Sequence, residues 1–416
     1  MTSHNHHRPN MAKHGDPDPI AYEKEIYQKG LSYSRPPFTF NALDWESLAS
    51  ERMSADSRGY CIGSAGTGET GRKNREAFAK WSIQPSRLTG STSFPDLSVS
   101  VLGKKLPFPI AIAPVGVQKI FNPDGELASA RAAAKEDVPY IMSTASSASI
   151  EEVAEANGDG ERWFQLYWPS RENDNITISL LERAKKAGFS ALIVTLDTYI
   201  LGWRPSDMNN GYNPFLRSDQ IGVEIGFSDP VFRSKFQSKH NVSLDENLGL
   251  AAAEWTRTIF PGTPHSWTDI AFLRAHWSGP IILKGIQTPS DARRAASLDI
   301  QGIIVSNHGG RQVDGGVSSL GVLPRIVDAV GDELEVWFDS GIRCGADIVK
   351  ALALGAKMCL IGRPYVYGLV LGGEDGVAHV LKALLGDTEL TMHLAGIKSV
   401  RKDDLDRDVL IRESDL

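Results

Sequence analysis

Gly302-Ile303-Ile304-Val305-Ser306-Asn307-His308-Gly309-Gly310-Arg311-Gln312 reads as a short buried strand running into a polar, glycine-broken loop. An apolar run without polar alternation suits a strand covered on both faces, as in a parallel sheet. The pattern recurs. Eight such runs, separated by helical stretches, occupy residues 110–113, 140–142, 163–166, 192–196, 281–283, 302–305, 335–338 and 358–361. Residues 125–135 are alanine-rich, 176–187 carry apolar side chains at helical spacing, and 346–354 open with the acidic Asp347. Strand and helix therefore alternate, and eight is the number of strands that closes a parallel barrel. A doubly wound open sheet is the structural alternative.

The placement of polar residues favours the barrel. Chemically able side chains follow each run: Pro114-Val115-Gly116, Ser143, Gln165 with Tyr167, Thr195 with Asp197, Lys284, Ser306 with His308, Asp339, and Gly362-Arg363. A barrel collects all of them at its C-terminal mouth. The expected fold is an α/β TIM (β/α)8 barrel.

Around that core, residues 1–40 read as an extended arm and 41–416 as one barrel domain. Residues 45–53 form a helix leading to Gly59-Tyr60-Cys61-Ile62-Gly63, whose glycines suggest a turn. Residues 205–277 are too long for an ordinary strand-to-helix loop, contain a helix around 248–259, and read as a lid over the mouth.

Composition narrows the function. The chain has 416 residues and a formal net charge of -7, which argues against nucleic-acid or anionic-membrane partners and requires any anion site to be a local basic pocket. Cys61, Cys344 and Cys359 have neither metal-ligand spacing nor an even count, so no disulfide framework or metal site is expected. His4, His6 and His7 sit in a polar terminal tail that lacks the apolar core of a signal peptide.

His308 is a base able to take a proton near neutral pH, and Arg311 is a fixed cation that forks onto a carboxylate. A 2-hydroxy acid offers both targets. The glycines between them permit close backbone approach to a ligand. Asp197 can hydrogen-bond the His308 ring, while Arg204, Tyr60 and Tyr167 offer further donors to the substrate. Lys284, ending a buried strand, needs an anionic partner. A reduced flavin provides one. A Schiff-base lysine of an aldolase is the rival reading. Asp339-Ser340-Gly341-Ile342-Arg343 and Gly362-Arg363-Pro364 follow the last two strands, where barrels bind phosphate at a helix N-terminus.

Ser306–Gln312, Lys284-Gly285, Asp339–Arg343 and Gly362-Arg363-Pro364 together resemble the FMN-dependent L-2-hydroxy-acid oxidases and dehydrogenases, from about residue 45 to the end of the barrel. The resemblance implies His308 as catalytic base with Asp197 as its partner, and Tyr60, Tyr167, Arg204 and Arg311 as substrate ligands. It implies FMN held by Pro114, Val115, Gly116, Ser143, Gln165, Thr195, Lys284, Ser306, Asp339, Gly341, Arg343, Gly362 and Arg363. Pro114-Val115-Gly116, in place of the commoner Pro-Thr-Ala, and Asp197-Thr198-Tyr199-Ile200, in place of Asp-Thr-Pro-Arg, are similar to the lactate 2-monooxygenase branch. There the oxo acid stays bound while oxygen is reduced and is decarboxylated to the shorter acid, carbon dioxide and water. On this reading Gly116, lacking a methyl, enlarges the space beside the flavin, and the long lid slows product escape. A simple oxidase releasing 2-oxo acid and hydrogen peroxide is the near alternative. No haem-binding domain precedes the barrel, so oxygen is the expected acceptor. The end, Glu413-Ser414-Asp415-Leu416, is not a peroxisomal address, leaving the cytoplasm as the expected location. The resemblance also implies a homotetramer.

Overall fold

Every one of the eight apolar runs forms a strand: β1 (Ile110–Ile112), β2 (Tyr140–Ser143), β3 (Arg162–Tyr167), β4 (Leu192–Thr195), β5 (Ile281–Ile286), β6 (Gly302–Val305), β7 (Glu335–Phe338) and β8 (Met358–Ile361). The computed structural model describes residues 20–91, 93–217 and 219–416, so the histidines at positions 4, 6 and 7 lie outside the described residues. Each strand pairs in parallel with the next, and β8 returns to β1 through Cys359, Leu360 and Ile361, which closes the barrel and excludes the open sheet.

Strand periodicity explains why these runs are apolar throughout. Alternate residues Ala111, Ile141, Trp163, Ile193, Ile282, Ile304, Trp337 and Leu360 fill the interior. Their neighbours Ile112, Met142, Phe164, Val194, Leu283, Val305, Phe338 and Ile361 belong to the core between strands and helices. The Trp163 and Trp337 rings meet inside at 4.9 Å. A hairpin of Val99–Val101 and Lys104–Leu106 packs against the interior cluster through Val101 and Leu106.

Helices Gly125–Lys135, Asp174–Lys186 and Gly345–Ala353 fall within two residues of the expected bounds. Three readings change. The segment before the barrel is not an extended arm throughout, because Ala21–Gly30 is helical and buries Tyr22, whose hydroxyl meets His379 Nδ1 at 2.7 Å. Gly59 to Ile62 is not a turn either. It completes helix Ala55–Ile62, capped by Ser54 accepting from the Ser57 amide. Gly59 is glycine for close packing: a Cβ there would lie 2.7 Å from Asn210 Nδ2. Strand β5 extends past Leu283 through an irregularity between Lys284 and Ile286. Gly285 sits there at φ +108°, and a Cβ would come within 3.0 Å of Asp197, so the bulge makes room for the acid beside it.

After β4 the chain leaves the barrel through helices Pro205–Asn209, Glu224–Phe227, Pro230–His240 and Leu248–Ile259 before Ile270–His276 returns it to β5. Phe232, Phe236, Trp255 and Ile259 of this excursion are buried and continue the core between the barrel strands and helices. Asp229 anchors it to helix Asp174–Lys186, accepting from Ser179 at 2.7 Å and pairing with Arg183 at 3.2 Å.

Candidate active site

Parallel register sets polar side chains side by side at the C-terminal strand ends: Ser143 opposite Gln165, Tyr167 opposite Thr195, and Thr195 opposite Lys284. They form a hydrogen-bonded belt. Gln165 accepts from the Thr144 amide at 3.1 Å and donates to Thr195 at 2.9 Å; Ser143 accepts from the Ala145 amide; Lys284 donates to Ser306 at 3.0 Å.

Above this belt opens a cleft. Pro114, Val115, Gly116, Gly341, Arg343, Gly362 and Arg363 line one part of it. Tyr60, Tyr167, Arg204, His308 and Arg311 line the same cleft, as do Lys284 and Asp339. Ser143, Gln165, Thr195, Ser306 and Asp197 do not line it and stand behind as support. All the expected site residues are thus at one mouth.

His308 follows β6 in a short turn, His308–Gly310, and its own φ is +57°, a strained conformation for a residue with a side chain. Two bonds hold it there: its amide donates to Ser306 Oγ at 3.1 Å, and Nδ1 meets Asp197 Oδ1 at 2.8 Å. With Nδ1 engaged, Nε2 is the nitrogen left to meet a substrate. Of the glycines that follow, Gly310 is required by packing, while Gly309 also lines the cleft. A Cβ on Gly310 would strike the Gly71 amide at 2.6 Å, and one on Gly309 would meet Arg363 Nη1 at 2.9 Å. Asn307 and Asn74 exchange side-chain hydrogen bonds of 2.8 and 2.7 Å, which fixes the loop against helix Glu69–Ala79.

Charge at this site is arranged in alternation. Burial alone would push the Asp197 carboxyl up, but His308, Lys284 and the hydrogen bonds from His308 and Thr198 outweigh it and hold the group well below the usual carboxylate range. Burial pushes the His308 imidazole below its ordinary value; Asp197 opposes this, and Lys284 adds to it. The base therefore rests neutral at neutral pH. Lys284 lies 3.4 Å from Asp339 and 3.9 Å from Asp197. Burial disfavours its charge, yet the two carboxylates raise its pKa above the ordinary lysine value. A Schiff-base role needs a neutral amine, so this environment opposes the aldolase reading.

The donor set tests whether FMN fits. Arg363 donates to the carbonyls of Cys61, Gly309 and Gly63, Arg311 to those of Tyr60 and Gly63, and Arg204 to Arg311 O and Gln312 Oε1. Among the described residues, Glu46 is the only carboxylate within 4 Å of these three guanidinium groups or of that of Arg343, 3.8 Å from the last. Burial, with the Arg311 charge second, pushes Arg204 down to about 10, still protonated at neutral pH. A buried cationic cleft of this kind calls for anions. At Gly362, which precedes helix Arg363–Ala395, a Cβ would meet only Ala113, at 3.9 Å, and would otherwise project into open space. A phosphate fits there, against a helix N-terminus and two guanidiniums.

One expectation fails on geometry. Gly116 does not enlarge the cleft, since an added Cβ would point into Ala145, 2.6 Å from its carbonyl oxygen. Its φ is not positive, so close packing, not backbone conformation, is what requires glycine.

Thr198 escaped the sequence reading. Its hydroxyl donates to Asp197 Oδ1 at 2.6 Å and lies 3.0 Å from His308 Nδ1. Its position next to Asp197 was the only signal. Thr198→Val should lower kcat/KM about tenfold, the equivalent of one hydrogen bond to a charged group. With one donor fewer, Asp197 attracts the imidazolium proton more strongly. The acidic limb of the pH profile, which the lowered His308 value sets in the parent, should therefore move to higher pH. Thr198→Ser should restore it; an unmoved limb would leave Thr198 a packing residue.

A closed (β/α)8 barrel whose mouth joins a phosphate cradle to a His-Asp pair and carboxylate-seeking arginines defines a flavin-dependent oxidoreductase. Comparison with known proteins agrees. The chain belongs to the FMN-dependent dehydrogenase family, whose sequence profile matches residues 49–412. It is 63% identical over 396 residues to an FMN-dependent alpha-hydroxy acid dehydrogenase of Schizosaccharomyces pombe, covering 95% of this chain and 97% of the relative. With an L-lactate oxidase of Lysinibacillus sphaericus it shares 39% identity over 88% of this chain and 92% of that one. A crystal structure of mandelate oxidase superposes with a TM-score of 0.76 at 35% identity, covering 87% of this chain and 96% of the other. The protein is an FMN-dependent α-hydroxy-acid oxidoreductase.

Proposed function

We propose that this chain oxidises L-2-hydroxy acids with dioxygen as the final electron acceptor, with His308 as the base. The observation that carries the reading is the 2.8 Å His308–Asp197 bond at a cleft ringed by guanidiniums with almost no acidic partners. Bound FMN supplies a two-electron acceptor that oxygen can regenerate. Gly341, Arg343, Gly362 and Arg363 would hold its phosphate; Pro114, Val115, Gly116, Asp339 and the belt of Ser143, Gln165, Thr195, Lys284 and Ser306 would hold its ring.

Arg204, Arg311 and Tyr60 seat the substrate carboxylate, and Tyr167 faces the substrate oxygen. His308 Nε2 removes a proton as two electrons leave the substrate, and Asp197 stabilises the imidazolium so formed. Lys284 places a fixed positive charge where negative charge develops.

Two outcomes balance. RCH(OH)CO2H and O2 give RCO2H, CO2 and H2O if the oxo acid is retained, or RCOCO2H and H2O2 if it leaves first. Retention, as in a lactate 2-monooxygenase, is the primary reading, supported by the excursion after β4 that brings Leu201, Arg204, Phe215 and Phe260 onto the cleft. Release, as in a simple oxidase, is favoured by Gly116, whose missing methyl opens no space. Turnover of lactate under air separates them. Acetate without accumulating peroxide supports retention, whereas equal amounts of pyruvate and peroxide establish the oxidase; no reaction with any hydroxy acid would overturn the whole reading.

A further inference from the structure

The proton and electron chemistry assigned so far uses the cationic side of the cleft, and the same space has an apolar side. Phe215 and Phe260, both contributed by the excursion after β4, line the cleft with Leu201, Val115 and Ala145. They form a continuous aromatic surface. The ring of Phe260 lies 4.9 Å from that of Tyr167 and 5.6 Å from that of Phe215. Phe215 is 1% exposed, so a side chain nearly sealed from water still faces the cleft.

This surface is fixed in place. Gly222 passes so close that a Cβ would lie 2.4 Å from Val117, 2.7 Å from Phe215 and 3.0 Å from the Ala145 carbonyl. The excursion is therefore pressed onto the loops after β1 and β2, and Phe215 cannot swing away without unpacking that contact. Two small residues, Gly116 and Ala145, line the same cleft. An aromatic wall in a cleft that small residues also line matches a flat apolar group. A hydrogen or a methyl would leave that wall largely uncovered.

We infer that Phe215, Phe260 and Leu201 form the seat of the substrate's side chain, and that this chain prefers 2-hydroxy acids bearing an aryl or bulky apolar side chain over glycolate and lactate. This deepens the function proposed above and rests on it. Burial of a phenyl group favours such acids by roughly 100-fold in kcat/KM.

Anaerobic bleaching of the flavin, measured for glycolate, lactate, mandelate and 3-phenyllactate, tests the preference. The expected result is faster reduction per unit concentration with either aryl acid. Glycolate or lactate matching both aryl acids would overturn the inference while leaving the function intact; failure of all four to bleach would remove the function first. Phe260→Ala, at a partly exposed position, should cut the ratio of aryl acid to lactate about tenfold, and a ratio that stays constant counts against the seat. An equilibrium readout runs in parallel: benzoylformate should perturb the flavin spectrum at roughly 100-fold lower concentration than pyruvate, and equal affinities would contradict the wall's role.

Discussion

His308→Ala is expected to leave the protein yellow, with FMN bound, and to lower the rate of flavin reduction by about 100- to 10,000-fold. The retained colour follows from position: the phosphate cradle at Gly362 and Arg363 follows β8, and the belt beneath, Ser306 apart, is built from strands other than the one that carries His308. The lost rate follows from the base. Among the described residues no other imidazole lines the cleft, and the amine of Lys284 is held protonated by Asp339 and Asp197. The replacement also leaves Asp197 with Thr198 as its remaining side-chain hydrogen-bond donor, so the carboxyl should become easier to protonate. Single-turnover bleaching with saturating substrate gives the answer directly. An unchanged rate would remove His308 from the chemistry.

Lys284→Met should act on the fold as well as on turnover. The ammonium is the shared counter-ion of two buried carboxylates, and removing one partner of such a cluster costs about 3–5 kcal/mol. For a chain of this length that cost corresponds to a melting temperature lower by about 3–6 °C. Asp197 should then ionise less readily, since one of the charges holding its pKa down is gone. Adding Asp339→Asn to Lys284→Met should recover part of the lost stability, because it removes one of the stranded charges, but should not restore turnover. Recovery of both would show that Lys284 has no part beyond neutralising Asp339.

The barrel was legible because its strands are covered on both faces, so each appears as an unbroken apolar run, and because their ends carry the polar residues. Side chains attached at those ends were legible for the same reason: His308, Asp197, Lys284 and Arg363 are each within a few residues of a strand. What stayed hidden depends on contacts distant in sequence. The pairing of Asn74 with Asn307 joins residues 233 positions apart, and nothing local marks Asn74. Glycines misled in a consistent way. Gly59, Gly116 and Gly310 were read as turns, open space or ligand approach, whereas each makes room for a neighbouring part of the chain that only the folded molecule brings close. Phe215 belongs to the main core and Phe260 packs against it, and their sequence surroundings do not distinguish cleft from core.

The cluster of like charges at the mouth has a consequence for the life of the protein in a cell. Four guanidiniums gathered with one distant carboxylate repel one another, and an anionic cofactor that binds only the folded chain relieves that repulsion and stabilises it by mass action. Polypeptide synthesised when FMN is scarce would then open more often and be cleared by proteases, so cofactor supply would set how many molecules survive as well as how many are active.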